Sequence, residues 1–119
     1  MNILICDDEK ETVDFLKKFL VRRGCNILTA YDQEKAVKVF KENAVDLVFL
    51  DILIPGGDGF AVLEELRALK PGIAVVMMTG CAIDERKAKE LAVFDYLYKP
   101  FDLDRIGWII ERVKKLQGR

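Results

Sequence analysis

A chain of 119 residues has the length of one domain and can bury roughly two-thirds of its unfolded surface without disulfide or metal staples. Its apolar share of 51% and charged share of 33% are ordinary for a globular protein. The net charge of -1 lacks the basic excess that direct nucleic-acid binding needs, and the absence of histidine excludes Ser-His or Cys-His catalysis, histidine metal ligands and a phosphohistidine on this chain.

Five short apolar runs recur along the chain: Ile3 to Cys6, Ile27 to Ala30, Leu47 to Leu50, Ala74 to Met78 and Tyr96 to Tyr98. They are too short for helices, and three are continuous rather than alternating, the pattern of parallel strands buried on both faces. Helical patterns lie between them. Val13, Leu16, Phe19 and Leu20 form the first stripe, stopped by Gly24 as a C′ residue. Ala36, Val37 and Phe40 mark a second helix begun near Asp32. Phe60, Leu63, Leu66 and Leu69 mark a third, stopped by Pro71-Gly72. Residues 83 to 92 give a short, charged fourth. Leu103, Ile106, Ile110 and Val113 line a fifth, capped by Asp102. The alternation predicts one α/β domain over residues 1–119, a parallel sheet with right-handed crossovers and helices on both faces. Cys6, Cys25 and Cys81 have no metal-ligand spacing, and an odd count without a framework predicts a reducing, cytoplasmic setting with Cys6 and Cys25 in or near the core. MNILICDDEK turns acidic too soon for a signal peptide, and no run approaches the ~20 apolar residues of a membrane span.

Polar residues end these strands. Asp7 and Asp8 follow the first, Asp51 the third, Thr79-Gly80 the fourth and Lys99-Pro100 the fifth. Each has a plain structural reading. Asp8 with Glu11 fits a capping box, Asp51 a loop before a Pro-Gly turn, Thr79-Gly80 a turn leaving a strand, and Lys99 a surface lysine. A parallel sheet, however, brings all the carboxyl ends of its strands to one edge. There three carboxylates, a hydroxyl and an ammonium converge. Close carboxylates raise each other's pKa unless a cation intervenes, and oxygen-only ligands suit Mg²⁺. A carboxylate beside Mg²⁺ and lysine is a nucleophile toward phosphorus.

The stretches "ICDDE", "LVFLDILIPGGDGF", "VVMMTG" and "FDYLYKPF" together resemble the receiver domain of bacterial two-component response regulators, in order and over essentially the whole chain. The resemblance implies a flavodoxin-like (βα)5 three-layer sandwich of strand order 2-1-3-4-5. It implies Asp51 as phospho-acceptor, with Asp8, Asp51 and the backbone carbonyl of Leu53 as Mg²⁺ ligands and Asp7 holding the ion through water. Thr79 matches the switch hydroxyl, Lys99 the active-site lysine and Tyr96 the aromatic whose rotamer follows phosphorylation. Lys99-Pro100 matches a peptide bond usually cis in the family. Pro55 and the neighbouring glycines are expected to carry the loop tightly round the site, with Gly59 letting the chain turn into the third helix. Such a domain catalyses only its own phosphorylation and dephosphorylation. Its partners are a sensor histidine kinase or histidine phosphotransfer protein and an output domain or protein that the sequence does not name.

Two departures fall on the fourth predicted helix: the Thr79–Lys99 stretch is shorter than the common pattern, and "KELAVFDY" lacks the glycine that often precedes the last strand. Cys81 stands where the family tunes phosphoryl lifetime. Trp108 points away from the stripe of Ile106, Ile110 and Val113, which suggests a partner or homodimer contact near the fourth helix, fifth strand and fifth helix. A lone exposed aromatic along the helix flank is the plainer reading. Three other readings fit these residues less well. A haloacid-dehalogenase-type phosphohydrolase requires DxDGT where this chain has Asp7-Asp8-Glu9. A flavodoxin requires a Ser/Thr/Gly-rich loop where it has "DDEKE". A receiver that is never phosphorylated would not need the acidic set.

Overall fold

The computed structural model describes residues 1–80, 90 and 92–117. Five strands form one sheet: β1 (Asn2–Cys6), β2 (Asn26–Ala30), β3 (Leu47–Asp51), β4 (Ala74–Thr79) and β5 (Asp95–Tyr98). All pairings are parallel, in the order β2-β1-β3-β4-β5 expected from the resemblance. The described helices are α1 (Lys10–Arg22), α2 (Gln33–Glu42), α3 (Gly59–Leu69) and α4 (Leu103–Leu116). Cys81 and nearly all of the helix predicted at 83 to 92 lie outside the described residues.

The sheet divides the core in two. Ile3, Ile5, Leu47, Phe49, Val76, Met78 and Leu97 face α1 and α4 and pack with Leu16, Leu20, Ile106 and Ile110. Leu4, Cys6, Val48, Leu50, Val75 and Met77 face α2 and α3 and pack with Ala36, Phe40, Val62, Leu63 and Leu66. Strand position explains strand composition. Central β3 is buried at all five residues and is apolar until its last, whereas edge strands β2 and β5 are only partly buried and admit Asn26, Thr29, Asp95 and Tyr98.

Helix ends follow their local chemistry. Asp32, Asp58 and Asp102 cap α2, α3 and α4 through side-chain oxygens that accept from Lys35, Ala61 and Asp104 N–H groups. At the other end of α1, Cys25 N–H donates to the Leu20 carbonyl and Gly24 N–H to that of Val21, a Schellman closure that needs the positive φ of Gly24. α3 ends before Pro71 because the residue ahead of a proline is driven to extended backbone, which Lys70 adopts.

Two expectations are corrected. Leu69 and Leu103, assigned to apolar stripes, are exposed; their faces turn inward through Val62 and Ile109 instead. The Asp8–Glu11 capping box does not form: Glu9 is the N-cap of α1 and caps with no side-chain hydrogen bond. Gly59 opens α3, as expected, and does so without a positive φ. Its requirement is space, since a Cβ there would lie 2.5 Å from the Asp51 carbonyl oxygen and 2.7 Å from Ile52 Cα.

Candidate functional site

The carboxyl ends of β1 and β3 meet where the strand order reverses, the place where open α/β sheets build their sites. Asp51 is the last residue of β3 and is buried; Asp7 follows β1 and is fully buried. One oxygen each from Asp7, Asp8 and Asp51 lies within 4.8 Å of the others, with Asp8 exposed at the rim. Burial of a carboxylate near the start of α1 is not capping, since the α1 N-cap is Glu9.

Both Asp51 oxygens have partners. The Leu53 N–H donates to Oδ1 at 3.0 Å, and the Lys99 ammonium lies 3.3 Å from Oδ2. The Lys99 Nζ also donates to Asp7 Oδ2 at 2.9 Å and to Glu9 Oε1 at 2.8 Å. Asp7 Oδ1 accepts from the Glu9 N–H at 2.9 Å. Burial pushes the Asp7 carboxyl up from an ordinary 3.8 to about 6; the Asp51 charge acts in the same direction, against the hydrogen bonds from the Glu9 N–H and Lys99. Burial alone would lower the Lys99 ammonium, but its hydrogen bonds to Glu9 and Asp7 and the charges of Asp7 and Asp51 hold it above the ordinary lysine range. The Lys99 N–H donates to the Thr79 carbonyl at 2.8 Å, and Lys99-Pro100 is cis.

The alternation of the strands sorts these groups. Asp51 shares the parity of Leu47 and Phe49, and Asp7 that of Ile3 and Ile5, so both carboxylates belong to the α1/α4 face. Lys99, two beyond Leu97, joins them through its ion pairs. Thr79 shares the parity of Val75 and Met77 on the α2/α3 face, where Tyr96 also packs. Thr79 is buried. The Tyr96 hydroxyl is buried too, with no hydrogen-bond partner among the described residues, and burial pushes its phenol up.

The loop after β3 is fastened on both sides. Ile54 is buried, whereas the Leu53 side chain is 70% exposed, leaving its backbone to face the site. The Pro55 carbonyl accepts from the Gln33 N–H at 2.9 Å, tying the loop to the start of α2. The Gly59 N–H donates to the Ile52 carbonyl at 2.7 Å, so α3 begins in contact with the end of β3. The structure thus brings Asp7, Asp8, Asp51 and Lys99 together and sets Thr79 on the neighbouring strand end. Trp108 lies apart, half-exposed on α4, with the Arg105 and Arg112 guanidinium carbons 5.1 and 5.3 Å from its ring centre.

A family model for the response regulator receiver domain matches residues 3–111. The chain belongs to that family. The transcriptional regulatory protein ZraR of Salmonella typhimurium is 33% identical over 114 residues, covering 94% of this chain and 26% of that protein. The chain therefore spans about a quarter of the length of the curated relatives it matches. A two-component response regulator from Clostridium difficile superposes with a TM-score of 0.92 at 30% identity, over 100% of this chain and 99% of that one. The receiver domain of NtrX from Brucella abortus gives 0.86 at 35% identity, over 93% and 96%. Against a CheY-like receiver domain protein from Methanospirillum hungatei the values are 0.89 and 26%, over 98% and 96%.

For this receiver domain, the residue that sequence reasoning missed is Glu9. It was legible only as the third acid in "DDE"; its contact with Lys99 spans 90 residues of chain. No described helix is long and apolar enough to cross a membrane.

Proposed function

We propose that this receiver accepts a phosphoryl group on Asp51 from a phosphohistidine of a sensor histidine kinase or histidine phosphotransfer protein. One observation carries the reading. Asp51 is the single carboxylate that ends the fully buried central strand, and its oxygens lie between a backbone N–H and a lysine, beside Asp7 and Asp8. The chain has no histidine, so the donor imidazole comes from the partner. An Asp51 oxygen forms the new O–P bond as the P–N bond breaks, and the leaving imidazole takes a proton from solvent. The domain turns over no other substrate; it catalyses its own phosphorylation and the hydrolysis that ends it.

The donor set fits Mg²⁺: hard oxygens, three carboxylates gathered within 4.8 Å, one at the solvent rim. Asp8, Asp51 and the Leu53 carbonyl would hold the ion directly and Asp7 through water. Bound there, it supplies positive charge that offsets the phosphoryl oxygens. Lys99 orients one phosphoryl oxygen. Thr79 donates to another, and Tyr96 follows it on the same face of the sheet, shifting the surface of β5 and α4. Half-exposed Trp108 between its two arginines makes this surface a candidate contact for an output partner or a second copy. The free thiols of Cys6 and Cys25 are in keeping with work in the cytoplasm.

The test is the intact mass after incubation with acetyl phosphate, with and without Mg²⁺, beside Asp51→Asn. A single phosphoryl adduct that requires both Mg²⁺ and Asp51 supports the proposal. No adduct together with no Mg²⁺ binding would replace it with a binding module that is never phosphorylated.

A further inference from the structure

A lysine ammonium has three hydrogens to donate. At Lys99 all three directions are taken by carboxylates: Glu9 at 2.8 Å, Asp7 at 2.9 Å and Asp51 at 3.3 Å. To orient a phosphoryl oxygen on Asp51, the ammonium must release one of them. Asp7 and Asp51 are buried members of the acidic cluster, and Asp51 is the acceptor itself. Glu9 differs: its side chain is 60% exposed, it stands outside the cluster, and leaving Lys99 returns it to water.

The local structure shows that Glu9 is committed to this contact. It occupies the N-cap of α1, where Ser, Thr, Asp or Asn would accept from the helix's free N–H groups. Its backbone is extended, with φ −85° and ψ 105°, yet its side chain makes no cap and reaches Lys99 instead. Its own N–H donates to Asp7 Oδ1, so one residue grips both partners of the partly buried Lys99–Asp7 pair. The two short Lys99 bonds lie on the Glu9 and Asp7 side, and the contact to Asp51 is the longest of the three.

We propose that Glu9 is a positioning residue for Lys99, holding the ammonium on the β1 side of the site until an anionic phosphoryl oxygen on Asp51 displaces it. Glu9 thereby sets the strength with which this receiver holds its phosphoryl group. The inference rests on the phospho-acceptor reading of Asp51.

The experiment titrates Mg²⁺-saturated protein with beryllium fluoride, a tetrahedral phosphoryl mimic, by calorimetry. The proteins are the parent, Glu9→Gln, Lys99→Met, the double variant and Asp51→Asn. Removing a partly exposed ion pair predicts fluoroberyllate affinity about two- to fivefold tighter in Glu9→Gln. Affinity for Mg²⁺ alone should stay within roughly twofold, because a weak exposed charge is exchanged outside the cluster. The gain should vanish when Lys99 is already Met. Unchanged or weaker fluoroberyllate binding in Glu9→Gln overturns the inference, and so does a gain that persists without Lys99, which marks a general field effect. A parent that binds no fluoroberyllate, or binds it as Asp51→Asn does, refutes the phospho-acceptor reading itself.

Discussion

Asp7 should leave a signature in the pH dependence of stability. Its carboxyl is fully buried and pushed up to about 6, from an ordinary 3.8. Between these values the folded state holds a proton that the unfolded state has lost. The Asp7 contribution is therefore fully present below 3.8 and is lost as pH rises through about 6. Integrating between pH 5 and pH 8 gives a loss of roughly 1.4 kcal/mol. At a typical urea slope this lowers the midpoint by about 0.5–1 M. Asp7→Asn keeps an oxygen for the Glu9 N–H but has no charge to strip of water, so its midpoint should change less by that amount over the same interval. Mg²⁺ should stabilise the folded parent, by about 2.7 kcal/mol at one hundred times its dissociation constant. The assay is urea unfolding followed by circular dichroism at both pH values, with and without Mg²⁺. Equal pH slopes in parent and Asp7→Asn would refute the account of Asp7 as a charge held in place at a cost.

Other outcomes follow from the geometry. Gly59→Ala places a Cβ against the backbone of Asp51 and Ile52, so it should cost about 1–3 kcal/mol in urea unfolding and slow adduct formation at Asp51. Thr79→Ala should still be phosphorylated, but the chemical-shift response of Tyr96 should shrink with the loss of a hydrogen bond worth about 1.5–3 kcal/mol; a response equal to the parent's would remove Thr79 from the relay. Phe49→Ala, in the centre of the α1/α4 core, should cost about 3–5 kcal/mol in urea unfolding. Trp108→Ala should change stability by about 0.5 kcal/mol at most yet weaken partner binding or self-association of the phosphorylated protein at least about tenfold by sedimentation.

The sheet was legible in the sequence because its five strands are short apolar runs between helical stripes, and a parallel sheet has few ways to be wound. The site was legible for the same reason: Asp7, Asp51, Thr79 and Lys99 stand one step from the ends of those runs. Legibility failed wherever a residue's role depends on contacts distant in the chain. Leu69 and Leu103 fit a helical period, but at the ends of α3 and α4 the sheet no longer covers them. Glu9 looked like the tail of an acidic run and proved a partner of Lys99. Gly59 was legible as the turn into α3, but not that the turn leaves no room for a side chain against β3.

The alternation that sets carboxylates on one face and Thr79 with Tyr96 on the other works as a reading frame. A one-residue deletion inside β4 would turn Thr79 away from Tyr96 and leave Gly80, with no side chain, in its place, while the apolar composition of the strand hardly changed. Between Thr79 and Asp95 the frame is reset by pairing, since β5 aligns Asp95 with Val76 and Tyr98 with Thr79 whatever length of chain joins them. Length is therefore free to vary in that stretch. Within the strands, a change of one residue would be a frameshift in the protein's own geometry.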